Sequence, residues 1–213
     1  MTYELCLFDM DGTVLDTVTD LTDAVNHTLQ SHGYPARSVQ QVKSATGNGA
    51  AELIARSLPQ GHDTPDFDNI LAEYKAWYAS HTCVETKPYP GIPELLECLQ
   101  RQGVQVAIVT NKPEKAAEAL GERFFPGIRV FGEKPSVPRK PAPDMVYRAA
   151  EALGVAPAHI VYIGDSEVDI QTAQNAGVDM VAVSWGFRSR EQLEKQGAKR
   201  IADSAQELAA LVK

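Results

Sequence analysis

Leu5-Cys6-Leu7-Phe8-Asp9-Met10-Asp11-Gly12-Thr13 is the stretch of sequence that decides the fold. Its first four residues are apolar, and a run of this length is typical of a strand buried on both faces of a parallel sheet. Two aspartates and a glycine follow directly. Because open α/β sheets bind ligands beyond the carboxyl ends of their strands, these acids stand where a binding site is expected.

Similar apolar runs recur along the chain and alternate with helical patterns. The further runs are Val104–Val109, Ile160–Ile163 and Val181–Val183. Apolar residues at 3.6-residue spacing predict helices at Pro93–Gln100, Pro113–Leu120, Pro143–Leu153, Glu167–Ala176 and Ala205–Val212. This alternation predicts an α/β fold with a doubly wound, mainly parallel sheet.

One segment, from about Asp16 to Glu85, contains no convincing strand. Its periodicity instead predicts three helices, at Val18–Ser31, Ala50–Ser57 and Ile70–His81. Stiff turn residues from Lys87 to Gly91 mark its end. We therefore expect residues 1–15 and 87–213 to form the core domain, and residues 16–86 to form a small all-helical cap domain inserted into it.

The charge balance limits the possible ligands. The 213 residues include 20 Lys and Arg against 28 Asp and Glu, a net charge of -8, so there is no overall positive field for a nucleic-acid polymer. A phosphorylated substrate would therefore need a metal ion or a few focused cations. The three cysteines show no C-x-x-C spacing, and no apolar run of about 18 residues occurs, so we expect a cytoplasmic protein without membrane contact.

Asp9 and Asp11 are two residues apart and share one side of an extended chain. Carboxylates held so close repel each other unless a cation or a shared proton compensates. Gly12 can adopt a tight turn that leaves backbone N–H groups free for an anion. The plainer alternative is an Asp-rich turn that ends a strand.

Asp9-x-Asp11-Gly12-Thr13 resembles the first motif of the haloacid dehalogenase-like hydrolases. The family's other motifs have counterparts in the same order: Thr110 with Asn111 after the second apolar run, Lys140 before a helix, and Gly164-Asp165-Ser166-Glu167-Val168-Asp169 after the third run. Each residue alone has a plainer interpretation: Thr110 as a helix N-cap, Lys140 as a solvated charge, and Asp169 as an acid that complements a helix dipole.

The resemblance implies a chemistry. It assigns Mg²⁺ to Asp9, the backbone carbonyl of Asp11, and Asp165, with Asp169 orienting a metal-bound water or Lys140. Asp9 would be the nucleophile that forms an aspartyl-phosphate, and Asp11 the general acid and then base. The phosphate would be held by a set of four residues: Gly12, Thr110, Asn111 and Lys140.

The helical segment carries a loop that resembles the cap loop of phosphoglycolate phosphatases, a subgroup of this family. It contains Gly47, Asn48 and Gly49, and Lys43 lies just before it. We expect this loop to contact substrate, with Lys43 or Arg56 meeting a carboxylate. An ordinary glycine turn with solvated charges is the alternative.

The sequence thus predicts a Mg²⁺-dependent phosphomonoester hydrolase of a small phosphorylated metabolite, most like phosphoglycolate phosphatase, acting as a monomer or homodimer. Pyrophosphatase, nucleotide phosphatase and sugar-phosphate mutase activities on the same core stay open. A phosphometabolite-binding protein without catalysis is the alternative from another class.

Overall fold

A computed structural model describes residues 3–212, and within them strands and helices alternate as the sequence predicts. The elements in chain order are β1 Leu5–Phe8, β2 Leu15–Asp16, α1 Val18–Ser31, α2 Val39–Ala45, α3 Gly49–Ser57, α4 Phe67–Ser80, β3 Lys87–Pro88, α5 Ile92–Arg101, β4 Gln105–Pro113, α6 Glu114–Phe124, β5 Arg129–Glu133, α7 Asp144–Leu153, β6 Ile160–Gly164, α8 Glu167–Ala176, β7 Asp179–Val183, α9 Arg190–Lys195, β8 Ile201–Ala202 and α10 Ala205–Leu211.

Six parallel strands form the main sheet in the order β5-β4-β1-β6-β7-β8. β1 lies in the middle, where Leu7 is in register with Ala107 of β4 and Tyr162 of β6. The predicted α/β class with a parallel sheet is confirmed. β4 and β5 lie on one side of β1, and β6, β7 and β8 lie on the other. Such a reversal of strand order leaves a crevice at the carboxyl ends of the strands.

β1 is buried on both faces because its side chains alternate between two apolar layers. Leu5 and Leu7 pack with residues of α7 and α8 on one side of the sheet. Cys6 and Phe8 pack with residues of α5, α6 and α10 on the other. This placement fixes the position of the residue that follows β1, Asp9.

The helices α1 to α4 share an apolar cluster of their own, to which Leu21, Val42, Leu53 and Tyr74 contribute. Phe187, from the segment after β7, also packs in this cluster. The short antiparallel pair β2 and β3 stands where the chain enters and leaves the helices, at the predicted boundaries. The division into a core domain and a cap domain stays a prediction.

Several elements differ from the sequence-based expectation. β2, β3, β5, β8, α2 and α9 are additional, and β4 continues past Val109 to Pro113, where a helix was expected to begin. β5 lies at the sheet edge and contains a glycine, and only Val42 and Ala45 are buried in α2, so neither carries a strong pattern. Within residues 3–212, no helix is both long and apolar enough to cross a membrane.

Candidate active site

A cavity lies between the carboxyl end of the main sheet and the helices α1, α3 and α4. Asp9 and Asp11 both line it, as their spacing predicts. Thr110 and Lys140 reach it from other parts of the core, and Asp165 follows β6 into the same space. The chain-distant residues of the four motifs therefore converge on one volume.

Lys140 is the buried cation of this site. Its Nζ lies 2.8 Å from Oδ1 of Asp9, 2.8 Å from Oδ1 of Asp169, and 2.9 Å from the hydroxyl of Tyr162. Burial alone would lower the pKa of Lys140, but the charges of Asp169 and Asp9 outweigh it and raise the pKa well above its usual value. Lys140 is thus a fixed positive charge beside Asp9.

Asp169 is fully buried and has both oxygens occupied. Its Oδ1 accepts from Lys140, and its Oδ2 accepts from the backbone N and the hydroxyl of Ser166 at 3.1 and 2.6 Å. The hydroxyl contact closes the first turn of α8, where Ser166 is the N-cap. Its position suits an orienting role toward Lys140, one of the two roles that the resemblance implies.

Asp165 is held from both sides. Its Oδ1 accepts from the Thr13 hydroxyl at 3.2 Å, and its Oδ2 accepts from the backbone N of Phe187 at 2.6 Å. Gly12, with φ of 86°, and Gly186 leave room for this carboxylate, because a Cβ at either position would overlap it. Burial, followed by the charges of Asp169 and Asp9, raises the pKa of Asp165 well above its usual value.

The carboxylates of this centre fit a hard divalent cation. Oxygens of Asp9, Asp165 and Asp169 lie within 4.8 Å of one another, and Lys140 supplies only one positive charge against the three. Burial raises the pKa of Asp9 to about 7, with Asp169 and Asp11 adding to the effect against Lys140. Oδ1 of Asp9 is also buried, and it is paired with the Lys140 ammonium at 2.8 Å. Mg²⁺ prefers such oxygen donors.

The assignment of the cation to Asp9 and Asp165 stays a prediction, because both oxygens of Asp165, like those of Asp169, already accept hydrogen bonds. The side chain of Asp11 lies outside this cluster and faces Lys112 instead. That placement agrees with the resemblance, which assigns only the backbone carbonyl of Asp11 to the metal.

The predicted phosphate ligands occupy different surroundings. Thr110 lines the cavity, where its hydroxyl accepts from the backbone N of Lys112 at 3.2 Å. The Asn111 amide accepts from the backbone N of Lys140 at 2.8 Å and donates to the carbonyls of Lys140 and Gly47 at 2.9 and 3.0 Å. Asn111 therefore fixes the backbone of Lys140 against the loop that contains Gly47, Asn48 and Gly49, here called the glycine loop. Phosphate contact by the Asn111 side chain stays a prediction.

Only some of the residues predicted to contact substrate from the glycine loop face the cavity. Gly47 and Gly49 line the cavity, whereas Lys43 and Asn48 do not. The ammonium of Lys43 lies 6.0 Å from the ring centre of Phe187. In the amide orientation that satisfies both groups, Asn48 accepts from Arg56 at 3.1 Å. The two cations expected to meet a substrate carboxylate thus lie outside the cavity lining.

Two basic residues of the site have no role in the sequence-based prediction. Lys112 is buried and places its Nζ 3.0 Å from Oδ1 of Asp11 and 2.6 Å from the hydroxyl of Tyr78. Arg188 donates to Glu167 at 2.8 Å and also to two backbone carbonyls at the end of α2. Lys112 follows Thr110 by two residues in β4, so strand alternation was a signal that could have placed both on one side.

Comparison with known proteins gives concordant matches. The family model for haloacid dehalogenase-like hydrolases matches residues 6–183. The N-acetylmuramic acid 6-phosphate phosphatase of Pseudomonas aeruginosa is 34% identical, over 98% of this chain and 94% of its own. The phosphoglycolate phosphatase of Pseudomonas putida is also 34% identical, over 96% and 78%. A crystal structure from Lactobacillus delbrueckii subsp. bulgaricus, provisionally named phosphoglycolate phosphatase, has a TM-score of 0.95 at 38% identity and covers 100% and 99%.

The parallel α/β fold and its carboxylate centre define the class of the protein as a hydrolase. More particularly, the chain belongs to the haloacid dehalogenase-like hydrolase family, and this confirms the family predicted from its motifs. Both curated relatives are named as phosphatases, which is the activity that the motifs predict for this chain.

Proposed function

We propose that the protein is a Mg²⁺-dependent phosphomonoester hydrolase of a small phosphorylated metabolite. One observation carries the proposal: Lys140 is buried between Asp9 and Asp169, in a cluster whose remaining negative charge suits a divalent cation. A phosphate bound beside Asp9 would meet this cation and the lysine. Charge compensation and positioning of this kind supply most of the catalysis of phosphoryl transfer.

Asp9 is the nucleophile of the proposed reaction. An oxygen of its carboxylate forms a bond to phosphorus while the bond to the leaving oxygen breaks, and that electron pair stays on the leaving oxygen. Asp11 gives this oxygen a proton, and its carboxylate then accepts a proton from the water that hydrolyses the aspartyl-phosphate. Bound Mg²⁺, held by Asp9, Asp165 and the Asp11 carbonyl, would neutralise charge on the phosphoryl oxygens.

Thr110, Lys140 and the backbone around Gly12 hold the phosphoryl oxygens in this proposal. Asp169 keeps the Lys140 ammonium directed at the same place through the 2.8 Å ion pair. The Ser166 contacts fix Asp169 in turn. Hydrolysis of the aspartyl-phosphate therefore uses the same phosphate-binding residues as its formation.

The cavity also surrounds the part of the substrate that lies beyond the phosphate. Beyond the carboxylates it is lined by apolar and aromatic side chains, namely Leu21, Ala50, Leu53, Tyr74 and Phe187. 2-Phosphoglycolate is the first substrate to test, because it is the subgroup's substrate by name. A sugar-acid 6-phosphate is the second, because a relative with that named activity covers nearly the whole chain.

The test is phosphate release from a panel of esters with Mg²⁺ present. The panel contains 2-phosphoglycolate, N-acetylmuramic acid 6-phosphate, pyrophosphate, a mononucleotide and a hexose phosphate, with p-nitrophenyl phosphate as a general probe. Asp9→Asn is expected to abolish release of phosphate from every member while the protein stays folded. Turnover near the wild-type rate in this variant, or no release by the wild type from any ester, would contradict the proposal.

We also propose cytoplasmic action as a monomer or homodimer, without nucleic-acid or membrane partners. The support is the net charge of -8 and the absence of a disulfide among Cys6, Cys83 and Cys98. Light scattering on the purified protein measures the oligomeric state.

A further inference from the structure

Lys112 and Tyr78 form a contact between the core and helix α4 at the edge of the cavity. Lys112 lies near the end of β4, two residues after Thr110, and Tyr78 lies in the last turn of α4. The Lys112 ammonium donates to the Tyr78 hydroxyl at 2.6 Å and lies 4.7 Å from the centre of its ring. Both residues are buried, so the contact is shielded from solvent.

The same ammonium faces Asp11. Its Nζ forms an ion pair with Oδ1 of that carboxylate at 3.0 Å, and this oxygen is buried. Lys140 is committed to Asp9 and Asp169 on the other side of the centre. Lys112 is therefore the cation that determines where the carboxylate of Asp11 points.

We propose that Lys112 and Tyr78 are positioning residues that hold Asp11 for proton transfer to the leaving group. The inference rests on the proposed role of Asp11 as general acid. As the proton moves from Asp11 to the leaving oxygen, negative charge develops on Asp11, and the fixed Lys112 ammonium meets that charge. Tyr78 keeps the ammonium in place, so this support is complete only when α4 covers the cavity.

A pair of esters of similar size separates this role from a structural one. p-Nitrophenyl phosphate has a leaving group that departs without a proton, whereas benzyl phosphate releases an alkoxide that needs one. The readout is kcat/KM, which reports the steps through leaving-group departure. A variant that only misplaces substrate or loosens the fold loses kcat/KM equally for both esters.

The variants are Tyr78→Phe, which removes one hydroxyl, and Lys112→Met, which keeps the length of the side chain. We expect the ratio of kcat/KM for p-nitrophenyl phosphate to that for benzyl phosphate to rise about tenfold in Tyr78→Phe and about a hundredfold in Lys112→Met. The double variant should resemble Lys112→Met, because Tyr78 acts through Lys112.

Two controls change the same kinds of side chain at exposed positions. Tyr147→Phe removes the hydroxyl of an exposed tyrosine on α7, away from the cavity, and should leave the ratio unchanged. Lys115→Met removes an exposed charge from α6 and should leave both rates unchanged. Equal loss on both esters in Lys112→Met and Tyr78→Phe, or additive losses in the double variant, would overturn the inference. A wild type that hydrolyses neither ester would instead overturn the proposed function.

Discussion

At the scale of single residues, the centre combines three buried carboxylates with one lysine, and this arrangement has a cost in the absence of a cation. The pKa of Asp9 is raised to about 7 by burial, against an unfolded value near 4. Between these two values the folded protein keeps a proton that the unfolded chain has lost. The contribution of Asp9 to the free energy of unfolding therefore falls as the pH rises through that window.

Asp9→Asn removes this effect. In EDTA the variant should have a higher Tm than the wild type at about pH 8. The difference should shrink as the pH falls from about 7 towards 4, and it should vanish below about pH 3, where Asp9 is neutral in both states. Excess Mg²⁺ should stabilise the wild type more than the variant, because ligand binding stabilises the folded state. A lower Tm for Asp9→Asn in EDTA at about pH 8 would show that the ion pair with Lys140 outweighs burial.

Gly186 tests the placement of Asp165. A Cβ at this position would overlap the carbonyl oxygen of Gly12 and the carboxylate of Asp165, so Gly186→Ala must displace one of them. We expect the Mg²⁺ concentration for half-maximal activity to rise about tenfold or more. Gly154→Ala, at a helix end with no atom near the new Cβ, is the control, and it should change stability but not the Mg²⁺ requirement.

The sequence predicts the residues of this centre but not all of their contacts. Asp9 and Asp165 could be predicted because each stands in a short motif after an apolar strand, and Lys140 because it stands in a short motif before a helix. Strand alternation could have placed Lys112 on the side of Thr110 but not against Asp11, and Arg188 carried no signal, since a single basic residue has the same appearance in sequence whether it is buried against a carboxylate or solvated. Their roles depend on distances across the chain, such as that between Lys112 and Tyr78.

At the scale of elements, the loop after β7 is joined to helix α2 through one side chain. Arg188 donates to Glu167 at 2.8 and 2.9 Å and to the carbonyls of Lys43 and Thr46 at 2.6 and 3.1 Å. Burial raises the pKa of Glu167, but the hydrogen bond and charge of Arg188 outweigh it and leave the pKa lowered. The guanidinium thus satisfies the end of α2 and holds the glycine loop over the cavity.

Arg188→Met should lower the free energy of unfolding by about 2 kcal/mol, because Glu167 and the α2 carbonyls lose charged hydrogen bonds. KM should rise more than kcat falls, since the loop that covers the cavity loses its contact with the core. Urea unfolding and steady-state kinetics measure the two effects. Arg190→Met is the matched control, because Arg190 pairs with Asp203 at the surface, and it should alter neither quantity appreciably. Equal behaviour of the two variants would refute the role of Arg188.

The strands and helices that could not be predicted are those with weak hydrophobic patterns. β1 is predictable because all four of its side chains are buried and apolar. In β5, at the sheet edge, the side chains range from exposed to buried, so neither an apolar run nor clean alternation results. α2 buries two of seven residues, and its capping box from Ser38 to Gln41 was the available signal.

At the scale of the whole molecule, the helices α1 to α4 and the main sheet meet at the cavity and are joined by β2 and β3. A buried carboxylate stabilises this junction. Asp20, in the first turns of α1, accepts from the backbone N of Val84, Glu85 and Thr86 at 3.0, 2.9 and 3.0 Å. It also accepts from the Thr86 hydroxyl at 2.6 Å. The start and end of the helical segment are therefore held together just before the chain re-enters the core.

Asp20→Asn replaces one acceptor oxygen with an NH₂ group, which would face backbone N–H donors in a buried place. We expect a loss of about 3 kcal/mol in the free energy of unfolding, because buried donors are left unpaired beside a new donor. Displacing α1 and α4 also moves Tyr78 away from Lys112, so kcat/KM for benzyl phosphate should fall more than that for p-nitrophenyl phosphate. Asp23→Asn, exposed on the same helix, should change neither stability nor this ratio. If Asp20→Asn lowers stability but leaves the ratio of the two esters at the wild-type value, the junction supports the fold without setting the position of α4 over the site.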